Sequence, residues 1–329
     1  MRILSVICGI VLTVQFVYGG VSDATFTVLV KDEAHLPVTN ATVGANFMRS
    51  KPIGSGAGSE THQHITGQTD TNGLYVFHGA CNGVVYWSAT KDGYYKTYAL
   101  PVAFSNSIAG RWLPWNNTYE TVLRKIEHPI PMYAKKLRPR EFYIPATNSP
   151  VGYDFVKGDW VAPYGLGETP DFIFILDCVL GETRKSGIQM YNATLSLSFS
   201  NEDDGIQEVI DNPRTEGSVY RLPRYAPENG YMSNWKSSTS ADLKSVNCEY
   251  AEDQNFFFRV RTKKDMDGRI ISANYGKIRG PLFYEVLSRG TSLQMIYYFN
   301  PNPNDRNMEY DPKRNMSENL RTGERVNEP

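Results

Sequence analysis

Residues 67–98, GQTDTNGLYVFHGACNGVVYWSATKDGYYKTY, decide the fold. They read as three short strands separated by turn chemistry. Asp70-Thr71-Asn72-Gly73 is a turn leading into a strand over 74–78. Gly73 permits a left-handed backbone there, and the Asp70 carboxylate can accept the turn's own amides. Asn82-Gly83 predicts a two-residue hairpin of type I′, which needs φ > 0 at both central residues. In the following strand Val85, Trp87 and Ala89 alternate with Val84, Tyr86 and Ser88, and Asp92-Gly93 then repeats the turn device. Alternation of period two between such turns describes antiparallel strands.

The flanking sequence continues the pattern. Over 25–31, Phe26, Val28 and Val30 oppose Thr25, Thr27 and Leu29, a strand with one face on a core. Val43, Ala45 and Phe47 line one side of a second strand. Residues 51–67 are rich in Gly, Ser and His without a period, so a loop is expected. That loop holds His62 and His64, whose spacing could ligate a metal on a strand. Zinc needs three or four ligands and no third stands beside them, so a polar loop tip is expected instead. Residues 101–114 form a second long connection, and 119–126 read as a closing strand.

Phe26-Thr27-Val28-Leu29-Val30-Lys31-Asp32, Pro37-Val38-Thr39-Asn40-Ala41-Thr42-Val43, Thr69-Asp70-Thr71-Asn72-Gly73-Leu74-Tyr75-Val76-Phe77 and Lys91-Asp92-Gly93-Tyr94-Tyr95 occur in that order. The stretch 24–125 resembles the carboxypeptidase regulatory-like domain, a transthyretin-like seven-stranded sandwich. His35-Leu36 stands where that family usually places a glycine before Pro-Val. The resemblance implies a fold and no peptidase activity. In such enzymes this domain accompanies the catalytic one and carries no zinc ligands.

Beyond it, 127–150 read as a linker, stiffened by His128-Pro129-Ile130-Pro131. Strands follow at 171–179 and 191–200, then 255–262 and 269–278 joined through Asp267-Gly268, then 280–287 and 292–299. No strand–helix–strand alternation is visible, so 151–303 are expected to form a second β-sandwich. The expected fold is therefore all-β, two antiparallel β-sandwich domains, the first (20–126) transthyretin-like or Ig-like. Residues 201–254 are long and polar, yet too aromatic for disorder, and are expected to pack over the sheet. Residues 304–329 read as a polar strap, loose from 317 onward.

Arg2, the apolar run 3–17 and Val17-Tyr18-Gly19 fit a signal peptide over 1–19, cleaved after Gly19. A secreted, extracellular or periplasmic protein without a membrane span is expected. Of the cysteines left, Cys81, Cys178 and Cys248, the pair Cys178–Cys248 is the expected disulfide, since both fall in the second half. Asn40, Asn116, Asn192 and Asn315 head glycosylation sequons. With 34 Lys+Arg against 35 Asp+Glu there is no basic surplus to recruit nucleic acid.

Catalytic motifs are missing: no Gly-x-Ser-x-Gly elbow, no phosphate loop, no dinucleotide fingerprint, no His-Glu-x-x-His. No cofactor or metal is implied. Glu202-Asp203-Asp204-Gly205 is an acidic turn whose side chains are expected to point into solvent, away from any hydrolytic cleft. Trp112 and Trp115, and Trp160 and Tyr164, fall in loops, where flat rings can stack on sugars or fill a partner's pocket. Two functions follow. The first is a non-catalytic exported protein, a matrix, surface or assembly component that meets a protein or glycan partner and could oligomerise. The alternative is a carbohydrate-binding or glycan-active protein, favoured if those four rings lie open.

Overall fold

A computed structural model describes residues 20–53, 56–183, 189–211, 217–242, 245–248, 251 and 253–329. The signal-peptide reading falls outside them. The described chain is built of strands, with two single-turn 3₁₀ segments, and none of its helices is long and apolar enough to cross a membrane. It divides into two compact units.

Of the described residues, unit 1 comprises those within 20–127 together with 217–221. Its strands are β1 (Ser22–Asp32), β2 (Thr42–Ile53), β3 (Gly56–Gln68), β4 (Leu74–Cys81), β5 (Val84–Thr90), β6 (Thr97–Tyr98), β7 (Val102–Ala103), β8 (Asn106–Ile108), β9 (Arg111–Leu113) and β10 (Asn117–Leu123). One sheet runs β10-β1-β9-β8 with β4 on β1; the other runs β3-β2-β5-β6 with β7 on β5. Phe26, Val28 and Val30 meet Val43, Ala45, Phe47, Val85, Trp87 and Ala89 between them, as the alternation requires. The pairing of β1 with β10 is parallel, an exception to the antiparallel expectation.

Two local expectations need correction. Residues 51–67 are not a loop, because β2 and β3 form one long antiparallel ladder. Thr61, His62, Gln63 and His64 are exposed on both sides of β3, so no apolar face imposes a readable period. Asn82-Gly83 is not a type I′ hairpin either. Gly83 has φ +102 whereas Asn82 is absent from the positive-φ residues, and β4 and β5 lie in different sheets. The turn is an arch across the core, tied down by Asn82 accepting the Ser50 amide. At the other turns Gly73 has φ +74 and Gly93 φ +80, and Asp70 accepts from the amides of Asn72 and Leu74.

Unit 2 comprises residues 128–211 and 222–329. Its strands are β11 (Tyr133–Leu137), β12 (Val151–Asp154), β13 (Asp159–Trp160), β14 (Phe172–Thr183), β15 (Gln189–Ser198), β16 (Gly205–Ile210), β17 (Asn234–Ala241), β18 (Val246–Cys248), β19 (Gln254–Lys264), β20 (Ile270–Ile278), β21 (Phe283–Leu287) and β22 (Gly290–Asn300). The sheet β11-β22-β20-β19-β16, with β21 on β22, packs against β13-β12-β14-β15-β17-β18. A second cluster, including Met132, Leu222, Ala226, Met308, Tyr310 and Val326, covers the far face of the first sheet. That sheet is therefore buried on both faces, which is why Phe256-Phe257-Phe258 and Tyr297-Tyr298-Phe299 are unbroken apolar runs.

The stretch read as a linker contains β11, which pairs with β22. The tail read as loose packs down: Val326 is buried, Tyr310 Oη donates to the Val326 carbonyl and Tyr298 Oη to that of Glu328. Its anchors are single side chains without a period, hence invisible to pattern reading. The expected disulfide is absent, since Cys178 is a free thiol. Cys178 pairs with Ala193, Ala193 with Thr239 and Thr239 with Cys248. Three strand spacings of about 4.8 Å separate the two cysteine backbones, well beyond disulfide reach.

Candidate functional site

Of the four loop aromatics, two are core residues. Trp112 is buried against Phe104 and its Nε1 donates to the Cys81 carbonyl. Trp160 is buried against Phe142, Tyr153 and Phe174, and its Nε1 donates to the Tyr143 carbonyl. Each sits on a short strand, and each indole N–H finds a buried acceptor, the usual fate of a large amphipathic ring. Neither offers a face to a ligand. Trp115 and Tyr164 are exposed. The Arg111 guanidinium lies 5.1 Å from the Trp115 ring centroid, and His78 meets the ring edge-on. Trp115 belongs to unit 1 and Tyr164 to unit 2.

The acidic turn also departs from expectation. Glu202 is exposed and Asp203 pairs with Lys264 at 2.6 Å, but Asp204 is buried. Asp204 accepts the amides of Arg261 and Thr262. Arg261 is the hub of this region. It sits at an irregularity between β19 and β20 with φ +58, a conformation that costs a non-glycine residue about 1–3 kcal/mol. The bulge turns its side chain onto Asp171, with bonds of 2.7 and 2.8 Å, and to 3.4 Å from Asp154.

Both carboxylates are otherwise occupied. Asp154 accepts the amides of Val156, Lys157, Glu168 and Thr169, and Asp171 accepts that of Phe155. Burial works to raise the Asp154 pKa, but the backbone amides outweigh it and hold the group below its ordinary value. For Asp171 burial wins over the Arg261 contact, and the pKa is raised. A raised carboxylate in a cleft would be a candidate acid, but Asp171 is only 3% exposed and both its oxygens are taken. The cluster is a clasp between strands, and sequence reading had no signal for it because its members come from distant segments.

Unit 1 offers the open surface. The outward residues of β2, β3, β5 and β6 form rows across the sheet. One runs His64, Asn46, Tyr86 and the next Thr66, Gly44, Ser88, Tyr98. Tyr86 is 58% and Tyr98 57% exposed, unusual for rings inside a ladder. His62 Nδ1 lies 3.1 Å from the Asn46 amide nitrogen, and Gly44 leaves room for the His64 imidazole beside it. His62 and His64 do share one exposed face, but no group of three metal-ligating side chains exists among the described residues. The Tyr86 placement was legible in the alternation of β5; Tyr98 was not, since its strand has two residues.

The edge of this sheet at β6 is closed by a remote segment. Tyr98 N donates to the Gly217 carbonyl, Val219 N donates to that of Lys96, and Ser218 bridges Thr97. Tyr220 is fully buried, stacked on Tyr95 at 5.0 Å with the Arg124 guanidinium 4.5 Å from its ring centroid. A cavity of about 150 Å³ beside this strap is lined by Lys31, Thr97, Glu120, Arg124 and Ser218. Its Lys31 ammonium is neutralised by Glu120 at 2.8 Å. Among the sequons Asn40, Asn116 and Asn192 are exposed, whereas the Asn315 amide bonds both the nitrogen and the carbonyl of Ala134.

No family model matches the chain, and no curated protein does. Among solved structures it is similar to a 3-chlorocatechol 1,2-dioxygenase from Rhodococcus opacus at 12% identity and a TM-score of 0.22, over 33% of this chain and 62% of that one. It is similar to a candidate carbohydrate-binding protein from Bacteroides uniformis at 11% identity and a TM-score of 0.19, over 86% of this chain and 99% of that one. Neither similarity bears on what this chain does.

Proposed function

We propose that this protein is a non-catalytic component of the cell exterior, secreted or held in the envelope, that works by presenting a surface. Its first unit is read as a carboxypeptidase regulatory-like sandwich whose contact surface is the outer face of the β3-β2-β5-β6 sheet. The observation that carries the reading is the pair of half-exposed rings on that face, Tyr86 on β5 and Tyr98 on the neighbouring edge strand β6. Tyrosines give large, rigid contact area at low entropic cost. Export is supported by the charged start, apolar run and small-residue end of residues 1–19. The family reading is supported by Gly73 at φ +74 under an Asp70 cap, and by two sheets enclosing the expected core positions. The glycan-active alternative needs two carboxylates flanking one bond, and the buried acids Asp154, Asp171 and Asp204 are saturated by amides and Arg261.

A photo-crosslinking residue placed at 86 or 98 in the protein on its producing cells is expected to give adducts, and one at 246, on the second unit, none. Equal labelling from all three positions would refute the assignment of the surface. Hydrolysis of a glycan that disappears in Asp171→Asn, with the fold intact, would refute the non-catalytic reading.

A further inference from the structure

The tyrosine face carries enough chemistry to say what it meets. The charged side chains bordering it, Glu60 and Lys96, stand at opposite ends of the strand direction, by the register of β2 with β3 and β5 with β6. Between them lie the Asn46 amide, the hydroxyls of Thr42, Thr66 and Ser88, and the rings of His62, His64, Tyr86 and Tyr98. A protein partner is usually held by apolar or aromatic anchors seated in desolvated pockets. This face presents its side chains in rows across the ladder, and the cavity beside the strap is lined by Lys31, Glu120 and Arg124. An anionic glycan or nucleic acid would need a basic field, and along these rows, among the described residues, Lys96 is the one lysine or arginine, 4.5 Å from the Tyr98 ring centroid.

A neutral polysaccharide satisfies every one of these conditions. Its pyranose rings present flat C–H faces that suit aromatic stacking, and its hydroxyls suit amide and hydroxyl partners. It carries no charge, and a chain lying across the strands meets the residues of a row one after another. We infer that the outer face of the β3-β2-β5-β6 sheet binds a neutral polysaccharide, with Tyr86 and Tyr98 stacking on sugar rings and Asn46, Thr66 and Ser88 bonding hydroxyls. The inference rests on the reading of this face as the contact surface, and names its occupant.

Affinity electrophoresis of the full chain tests it, in native gels containing xyloglucan, a mixed-linkage glucan, a galactomannan, polygalacturonate or heparin. Retardation by at least one of the three neutral polymers is expected, unchanged by added salt. Tyr86→Ala and Tyr98→Ala should each weaken it about tenfold, the size of an ordinary contact hot spot. Trp115→Ala, on the other sheet of the same unit, should leave it unchanged. Both tyrosines are exposed, so unchanged melting curves establish that the variants fold. No retardation by any neutral polymer, retardation by the anionic polymers alone, or binding indifferent to both tyrosine variants would each overturn the inference. If the neutral polymers fail while crosslinks at 86 and 98 capture a protein, the occupant is wrong and the surface stands. If the crosslinks fail as well, the surface reading falls with it.

Discussion

The two units use aromatic side chains in different proportions. In unit 2 they are the core: Phe155 stacks on Phe258 at 4.5 Å and on Phe299 at 5.9 Å, and Tyr153, Tyr297, Tyr298 and Tyr310 are all fully buried. In unit 1 six rings, Phe26, Phe47, Phe77, Trp87, Phe104 and Trp112, lie buried among eleven aliphatic side chains, and Tyr86 and Tyr98 stand outside. Burying many large rings leaves irregular space and tyrosine hydroxyls to satisfy, and unit 2 answers with long-range polar links. Tyr284 Oη reaches the carbonyls of Ala193 and Ser237, and Tyr297 Oη that of Phe155. The Arg261 clasp belongs to the same pattern. In unit 1 the β3-β2-β5-β6 sheet has one face inward and apolar and one outward and ring-bearing.

The comparison breaks first at the clasp. Arg261→Met leaves the Asp171 carboxylate buried without its cation, and a stranded buried charge is expected to cost about 3 kcal/mol. Chemical denaturation should show this loss, with part of it recovered when Asp171→Asn is added. A loss below about 0.5 kcal/mol would mean that ring packing alone holds unit 2, a value typical of substitutions away from any special feature.

The counterpart in unit 1 is the strap. A Cβ on residue 217 would lie 1.5 Å from the Tyr98 carbonyl oxygen, so Gly217→Ala must push the strap away from β6. A forced displacement of this kind costs about 1–3 kcal/mol. Hydrogen exchange at the Tyr98 and Val219 amides should rise in this variant while the amides of β14 and β15 keep their protection. Unchanged protection at Tyr98 would show that the strap is not what closes that edge.

These two features mark where sequence reading stops. Within unit 1 the strands and the turns at Gly73 and Gly93 were legible, because alternation and left-handed glycines are local signals. The Asn82-Gly83 arch was misread because a dipeptide fixes local dihedrals but not which sheet the next strand joins. The strap comes from about a hundred residues along the chain, and Gly217 has no special φ to announce it. In the clasp, Asp154, Asp171, Asp204 and Arg261 each look like ordinary turn or strand residues; only the fold brings them together. Of the candidate surface, Tyr86 could be placed outward from β5 alone, while two of the four loop rings, Trp112 and Trp160, are buried.

The smallest expected effect concerns the cysteines, one on each side of the comparison. Cys81 is fully buried in the core of unit 1, and Cys178 is half-buried at the end of the aromatic core of unit 2. Both are free thiols, and burial raises the pKa of each. The thiolate is the reactive form, so at neutral pH both should alkylate more slowly than a free cysteine. Cys178 should react first, since it is the less enclosed, and Cys81 only as fast as unit 1 opens. Mass spectrometry after timed iodoacetamide exposure separates the two. Because Cys178 carries no disulfide to Cys248, reductant should leave the melting temperature of the folded chain unchanged. A fall on adding reductant, or Cys178 found protected against alkylation until reduction, would restore a covalent link to unit 2. Its stability would then rest on a constraint of the unfolded chain as well as on ring packing and the clasp.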